Sequence, residues 1–402
     1  MTQPRILLVD DDPFMLGLQL RMLKAMGYPT VEAVQSGQAA LDLLASKSSL
    51  ADVVICDLNM PGMDGVEFLR ALNEGPFVGS VILLSGEGVR ILHTVQKLMS
   101  GGRLTMLGAL EKPAQPEALR TMLNCWVQPG ELHTQEKKTL AVTGAEVHEA
   151  VRSGQWVLHY QPKVSLSTGA LTGMEALVRW NHPTHGLVYP DSFIGIAEEC
   201  GAIDGLTDWV VQEAIHQLAR WGAQGLALEV AVNVSMDNLR APDFAKRIGA
   251  VVREAGVLPH DVTLEITESQ AMSPSPEPLE ALVRLRLQGF KLSIDDFGTG
   301  HSSLAQLRDV PYTQLKIDRS FVHGAHGNQI IRPMLEGSIG LARRLGMVSV
   351  AEGVEDEADF HFLREIECDI AQGYFIGRPM PPAALTDWMQ KWQGRRRLLF
   401  GS

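Results

Sequence analysis

In the second half of this chain, short apolar runs end repeatedly in a residue that can hold a cation or move a proton. The positions are Glu175, Asn233, Glu265, the pair Asp295-Asp296, Lys316, Glu352 and Gln372. The runs before them include Val230-Ala231-Val232, Val262-Thr263-Leu264, Leu292-Ser293-Ile294 and Val348-Ser349-Val350-Ala351, each the length of a short buried strand. Helical apolar spacing lies between most of them, over 208–221, 244–255, 278–287 and 330–345. Strand, polar residue and helix in repetition is the winding of a TIM-like (β/α) barrel, which gathers its chemistry at the carboxyl ends of its strands. Carboxylates brought together there repel one another unless cations lie between them, so the pattern predicts a divalent-metal active site. Asp295 and Asp296 are neighbours and would face opposite ways in a continuing strand. Both serve one site only if the strand ends there, at the turn Phe297-Gly298-Thr299-Gly300.

At 402 residues the chain is long for that barrel alone, and two domains are expected. Its formal charge of −12 repels nucleic-acid phosphates, and it shows no basic recognition helix, which excludes a DNA-binding regulator. Any phosphate ligand must then be met by metal ions or a local cation. Cys56, Cys125, Cys200 and Cys368 are scattered with no C-x-x-C pair, which fits a reducing compartment and gives no zinc signature. The amino terminus has no signal-peptide pattern, and no apolar run approaches the ~20 residues that span a bilayer. A cytoplasmic protein with no membrane partner is expected.

The first half repeats the strand pattern with different residues at the ends. Ile6-Leu7-Leu8-Val9 runs into Asp10-Asp11-Asp12, Val53-Val54-Ile55-Cys56 into Asp57, Val81-Ile82-Leu83-Leu84 into Ser85, and 107–110 into Glu111-Lys112-Pro113. Alternating with helical stretches, these predict a doubly wound, flavodoxin-like parallel sheet whose ligands meet at the carboxyl edge. Three carboxylates there can hold one Mg²⁺, and one of them can become an aspartyl phosphate. A hydroxyl and an ammonium can bind the phosphoryl oxygens. Together with Asp57-Leu58-Asn59-Met60-Pro61-Gly62-Met63-Asp64-Gly65, these residues resemble a response-regulator receiver domain within 1–124. The resemblance implies that Asp57 is the phosphoacceptor and that Asp10, Asp11 and Asp57 hold Mg²⁺ with the Asn59 carbonyl. Ser85 and Lys112 would bind the phosphoryl group, Asp12 would lie outside the metal shell, and a histidine kinase or phosphotransfer protein would be the partner. Receivers commonly carry Tyr or Phe three residues before the lysine; here that position is Ala109.

Residues 125–144 read as a linker, 145–393 as the barrel, and 394–402 as a tail in which Arg395-Arg396-Arg397 is frayed and solvated. The barrel motifs, in order, begin with Tyr160-Gln161-Pro162, Glu175-Ala176-Leu177-Val178-Arg179-Trp180, Asn233-Val234-Ser235 and Leu264-Glu265-Ile266-Thr267-Glu268. They continue with Asp295-Asp296-Phe297-Gly298-Thr299-Gly300, Lys316-Ile317-Asp318, Glu352-Gly353-Val354-Glu355 and Gln372-Gly373-Tyr374. This series resembles the EAL family of cyclic di-GMP phosphodiesterases. It implies phosphorylation-regulated hydrolysis of cyclic di-GMP to linear 5′-pGpG. Glu175, Asn233, Glu265 and Asp295 would hold one Mg²⁺ or Mn²⁺, and Asp295 would bridge to a second that Asp296 also binds. Two such ions stabilise both the attacking and the departing oxygen of an in-line displacement. Lys316 would orient the water or neutralise developing charge, Glu352 would handle a proton or meet the metal through water, and Gln372 would hold the water or metal shell. Arg179 would take a substrate phosphate, Gln161 and Asp318 would position the nucleotide, and Glu268 would brace the loop after Asp296. Homo-oligomers are implied too, with apolar residues of 91–99 and the segment after Phe297 as candidates.

The rival reading is a module that binds cyclic di-GMP without cleaving it and signals by contact; such members are expected to lack metal ligands or the lysine, and all are present here. His301 stands where the family usually has tyrosine. A partly protonated imidazole there makes the loop sensitive to pH near neutrality. The ratio of wild-type to His301→Tyr activity is expected to change between about pH 6 and 8, and a constant ratio removes the effect.

Overall fold

The computed structural model describes residues 3–46, 51–75, 77–86, 103–124, 126, 142–267, 276–299 and 304–401. The chain divides into two compact units, Met1–Thr139 and Leu140–Ser402. In the first, β1 (Ile6–Val9), β2 (Val31–Val34), β3 (Val53–Asp57), β4 (Ser80–Ser85) and β5 (Thr105–Glu111) form a parallel sheet in the order β2-β1-β3-β4-β5. Leu7, Val9, Val54 and Cys56 belong to one core and Ile6, Leu8, Val53 and Ile55 to another, on opposite faces of the sheet. Covering both faces is why these strands read as unbroken apolar runs. The strand order reverses between β1 and β3, the position where such sheets bind ligands. Asp10 and Asp57 sit at that point. Asp12 caps the helix Pro13–Ala25, accepting a hydrogen bond from Phe14 N at 2.8 Å, and so serves the helix instead of the acid cluster.

The second unit contains β6 (Trp156–Ser165), β7 (Leu171–His182), β8 (Gly186–Val188), β9 (Glu229–Asn233) and β10 (Val262–Thr267). It continues with β11 (Lys291–Phe297), β12 (Gln314–Ile317), β13 (Val348–Ala351) and β14 (Ile370–Gln372). Eight of these close in the order β6-β14-β13-β12-β11-β10-β9-β7, sealed by β6 against β7, while β8 extends from β7. β6 runs antiparallel to both of its barrel neighbours; the other barrel pairings are parallel. The barrel therefore opens on a hairpin.

Val230, Val232, Leu264, Ile266, Leu292, Ile294, Leu315 and Ile317 join the core shared with the surrounding helices. The alternate set on the same strands is buried and polar: Thr263, Glu265, Ser293, Asp295, Gln314 and Lys316. Such barrels usually fill their interior with layers of branched apolar side chains. Here Lys163 on β6 pairs with Glu265 on β10, two strands that are not neighbours, so the ion pair crosses the interior. Charge occupies the centre.

The expected helices appear as Ile203–Ala223, Phe244–Glu254, Pro276–Leu287 and Ile331–Arg344. Pro276 and Pro278 lie in the first turn of their helix, where a missing N–H is harmless. The arginine run is not frayed. Helix Leu385–Phe400 continues through it, and two of the three arginines are held by residues distant in sequence. Arg395 donates to Phe375 O and lies 3.7 Å from the centre of that ring, and Arg396 Nε donates to Thr168 O at 2.8 Å. Among the described residues no helix is long and apolar enough to cross a membrane.

Beyond β14 the chain passes directly over the loop after β13. A Cβ on Gly373 would lie 2.2 Å from Val354 O and 2.3 Å from Val354 N. Gly373→Ala must push these backbones apart, and about 1–3 kcal/mol of stability is expected to be lost. Urea unfolding checks this; an unchanged midpoint would mean that the two loops separate freely.

Candidate active site

At the sheet edge of the first unit, Asp10, Asp11 and Asp57 offer oxygens within 4.8 Å of one another. Lys112 donates to Asp10 at 2.6 Å and pairs with Asp57 at 2.8 Å. Burial works against the ammonium, but the two carboxylates outweigh it and raise its pKa. Among the described residues Asp57 Oδ1 is buried and accepts no hydrogen bond, which leaves one oxygen of the expected phosphoacceptor uncommitted there. Ser85 is fully buried beside this edge, its carbonyl accepting from Lys112 N at 2.8 Å, and Asn59 is exposed. Ala109 packs partly buried against the core on one face of the sheet.

In the barrel, strand register sets Gln161 level with Glu175, and Asn233 level with Glu265. Lys316, only 1% exposed, is the hub. Its ammonium lies 2.7 Å from Glu265, 2.7 Å from Glu352, 3.0 Å from Asp295 and 3.7 Å from Glu175. Glu175 is held from both sides: Asn233 Nδ2 donates to one oxygen at 2.9 Å and Gln372 Nε2 to the other at 2.6 Å. Above them opens a cleft of about 260 Å³, lined by Gln161, Glu175, Asp295, Lys316, Asp318, Glu352 and Gln372 among others. Asp318 also caps the helix Arg319–Val322, accepting from Ser320 N at 2.9 Å.

The acid pair is brought together differently from the expected strand end. β11 continues to Phe297, but its register shifts between Ile294 and Phe297, and Asp296 takes a left-handed backbone at φ 57°. Aspartate tolerates that conformation better than most residues, and the bulge breaks the alternation that would have sent the two side chains apart. Asp295, Asp296 and Glu352 accordingly offer oxygens within 4.8 Å of one another. Arg179, by contrast, is buried with its guanidinium 5.0 Å from the centre of the Tyr189 ring, and does not line the cleft. Glu268, His301 and 91–99 lie outside the described residues.

Several side chains at the site were not singled out from the sequence. Lys163 follows Gln161 by two residues on a strand and so shares its face, a signal available from period two alone. Arg319 pairs with Glu355 at 2.9 Å on the cleft wall. Gly353 between them has φ 64°, and a Cβ there would sit 2.2 Å from Arg319 Cβ. Buried Asp359 ties these loops together, accepting from Gly324 N at 2.9 Å and Glu355 N at 3.4 Å and pairing with His323 Nδ1 at 2.9 Å.

Burial alone would raise every carboxyl pKa here, and the neighbours decide which ones escape. Lys316 and Lys163, with hydrogen bonds from Gln372 and Asn233, bring Glu175 down to about 2 against that penalty. Burial and the Glu175 charge push Glu265 up to about 7 despite its two ammonium partners. Burial, with Asp295 and Glu175, carries Glu352 to about 8 although Lys316 opposes it. Burial and Asp295 carry Asp296 to about 6. The four carboxylates around Lys316 hold its proton firmly in spite of burial. Fully ionised, four carboxylates facing two ammoniums would leave negative charge in excess, and Gln372 Oε1 is buried without a hydrogen-bond partner among the described residues. An all-oxygen donor set of this sign suits hard divalent cations.

The sequence matches the family model for the EAL domain over residues 145–379 and that for the response regulator receiver domain over residues 6–124. Cyclic di-GMP phosphodiesterase RocR of Pseudomonas aeruginosa is 33% identical across 96% of this chain and 99% of its own length. Oxygen sensor protein DosP of Escherichia coli is 40% identical across 63% of this chain, but that match spans only 32% of DosP. The solved PaMucR phosphodiesterase in its c-di-GMP complex aligns with a TM-score of 0.57 at 38% identity, over 60% of this chain and 98% of the other.

The raised carboxyls fix the sign of a pH effect. Each keeps its proton in the folded chain at pH values where the unfolded chain has lost it. The resulting penalty is absent below the ordinary carboxyl range and complete above about pH 8, the upper of the folded values. In a chelator, the melting temperature is expected to fall as pH rises from about 6 to 8, and to fall less in Glu352→Gln. A flat profile in wild type would show that these groups are not perturbed.

Proposed function

The chain belongs to the EAL domain family of metal-dependent cyclic di-GMP phosphodiesterases and carries a response regulator receiver domain, and on that premise we propose that its receiver controls how fast its barrel opens cyclic di-GMP to linear 5′-pGpG. The observation that supports this most is a buried Lys316 within 4 Å of four carboxylates beneath an open cleft. Glu175, Asn233, Glu265 and Asp295 would hold one Mg²⁺ or Mn²⁺ in this reading, and Asp295 and Asp296 would hold a second. When bound, the ions supply positive charge to the entering and leaving oxygens of an in-line displacement.

The chain's own residues do the rest. Lys316 keeps a fixed positive charge where charge grows on the phosphoryl oxygens, and its burial makes that charge count for more than it would in water. Glu352, on the cleft wall and 2.7 Å from Lys316, carries a carboxyl raised to about 8, suited to taking and returning a proton near neutrality. Asn233 and Gln372 fix the orientation of Glu175 through its two oxygens. Gln161 and Asp318 face the nucleotide from the cleft wall. Arg179 takes a substrate phosphate only after leaving the Tyr189 ring.

In the receiver, Asp10, Asp11 and Asp57 would hold one Mg²⁺, with the Asn59 carbonyl. Phosphorylation of Asp57 by a histidine kinase or phosphotransfer protein adds negative charge where Lys112 already bridges two aspartates. Re-pairing of that lysine onto the new phosphoryl oxygens, with Ser85 as a second donor, is the local event, and subunit contacts of a homo-oligomer in the cytoplasm carry it onward.

Turnover of cyclic di-GMP with and without a small phosphodonor, in wild type and Asp57→Ala, tests both halves. Wild type is expected to release pGpG only with Mg²⁺ or Mn²⁺, and the donor to change the rate in wild type alone. Lys316→Met should lose at least about 100-fold in rate. Cyclic di-GMP bound in Mg²⁺ but never cleaved makes the barrel a binding module, and an equal donor response in both proteins removes Asp57 as the switch.

A further inference from the structure

The two-metal reading gives Lys163 no part, yet its ammonium sits inside the barrel. It is supplied by β6, the strand that runs against its neighbours, and lies level with Gly173 on β7 and Gln372 on β14. Gln161 is level with Glu175, so Lys163 lies two residues deeper on the same face and reaches the site from beneath. Its Nζ donates to Glu265 Oε1 at 2.6 Å, while Lys316 donates to Glu265 Oε2 at 2.7 Å.

The two lysines are placed differently. Lys316 is shared among four carboxylates next to the cleft. Lys163 spends its contact on one oxygen of one fully buried residue. Without it, Glu265 Oε1 would be a buried oxygen with no donor among the described residues, and the carboxyl would turn until both oxygens reached Lys316. The floor below offers little else: the cavity beside Lys163, Gly173 and Gln314 has only about 10 Å³. A side chain on Gly173 would not fit either, since its Cβ would lie 2.8 Å from Glu229 O.

We propose that Lys163 is a positioning residue that tethers Glu265 by Oε1, so that Oε2 is the oxygen presented to the divalent cation. The assignment rests on the reading of the barrel as a divalent-metal phosphodiesterase. Partners that orient a metal ligand in this way typically change metal affinity by about 10–100-fold.

The test uses the full chain as wild type and Lys163→Met, which keeps the apolar stem and removes the ammonium. Two quantities are measured: the Mg²⁺ concentration for half-maximal turnover, and, without substrate, the rise in melting temperature that Mg²⁺ produces. Lys163→Met is expected to need at least about tenfold more Mg²⁺ for both, with KM for cyclic di-GMP at saturating metal within about twofold of wild type. If Lys163→Met does not fold, Lys163→Gln takes its place in both measurements. Unchanged Mg²⁺ dependence, or tighter Mg²⁺ binding, overturns the tether, as does a raised KM with normal metal affinity. A wild type that melts higher in Mg²⁺ but cleaves nothing sinks the phosphodiesterase reading instead, and the melting comparison alone then decides Lys163.

Discussion

Where the barrel interior meets the cleft, two lysine ammoniums hold four carboxyl groups, all but Glu352 of them buried. Removing one partner from a buried ion pair costs about 3–5 kcal/mol, because the other charge is left without compensation. The set is therefore mutually dependent. Each carboxylate is tolerated because an ammonium is near, and Lys316 remains charged because the carboxylates are. The strand directions, the closed register and the bulge at Asp296 serve to bring these groups within reach of one another. A barrel with the usual apolar interior would be easier to stabilise and would have nothing to offer a phosphodiester.

The two units share one electrostatic device although their sheets are unrelated. In each, parallel strands deliver acids to their carboxyl ends, and a single lysine from another strand end bridges them: Lys112 between Asp10 and Asp57, Lys316 among Glu265, Glu352 and Asp295. In both places a positive charge is fixed in advance, so a phosphoryl group placed there would meet it with little reorganisation. The loops above the barrel are also tied down. Asp359 binds the loop after β12 to that after β13, and Gly353 lets Arg319 pass close to the backbone.

Most of this was legible in the sequence because burial leaves a strong imprint. Runs such as Ile6–Val9 and Val53-Val54-Ile55-Cys56 are covered on both faces and stay apolar throughout, while the barrel strands alternate as Val262-Thr263-Leu264-Glu265 do. The residue ending each run then marks a carboxyl edge. What escaped depended on geometry across the chain. The reversed direction of β6 follows from how the barrel closes, not from its own residues. Lys163 looks like any strand lysine until Glu265 is seen opposite it. The neighbours Asp295 and Asp296 suggested a strand end, whereas a left-handed residue within the strand does the same work. The terminal arginines read as solvated because the partners of Arg395 and Arg396, Phe375 and Thr168, are distant in sequence.

The hairpin that opens the barrel has a consequence for how this protein can vary. Gln161 and Lys163 reach the centre only because β6 lies against β7 in one alignment, set by the short connection 166–170, where Gly169 turns at φ 68° and Ser165 N bonds to Ala170 O. Side chains alternate along a strand, so lengthening or shortening that connection by one residue would slide the pair and swing both groups to the outer face. The connection works as a vernier: far from the cleft and unconnected to any ligand, it is where a single inserted codon could silence the chemistry while every acidic residue remained in place.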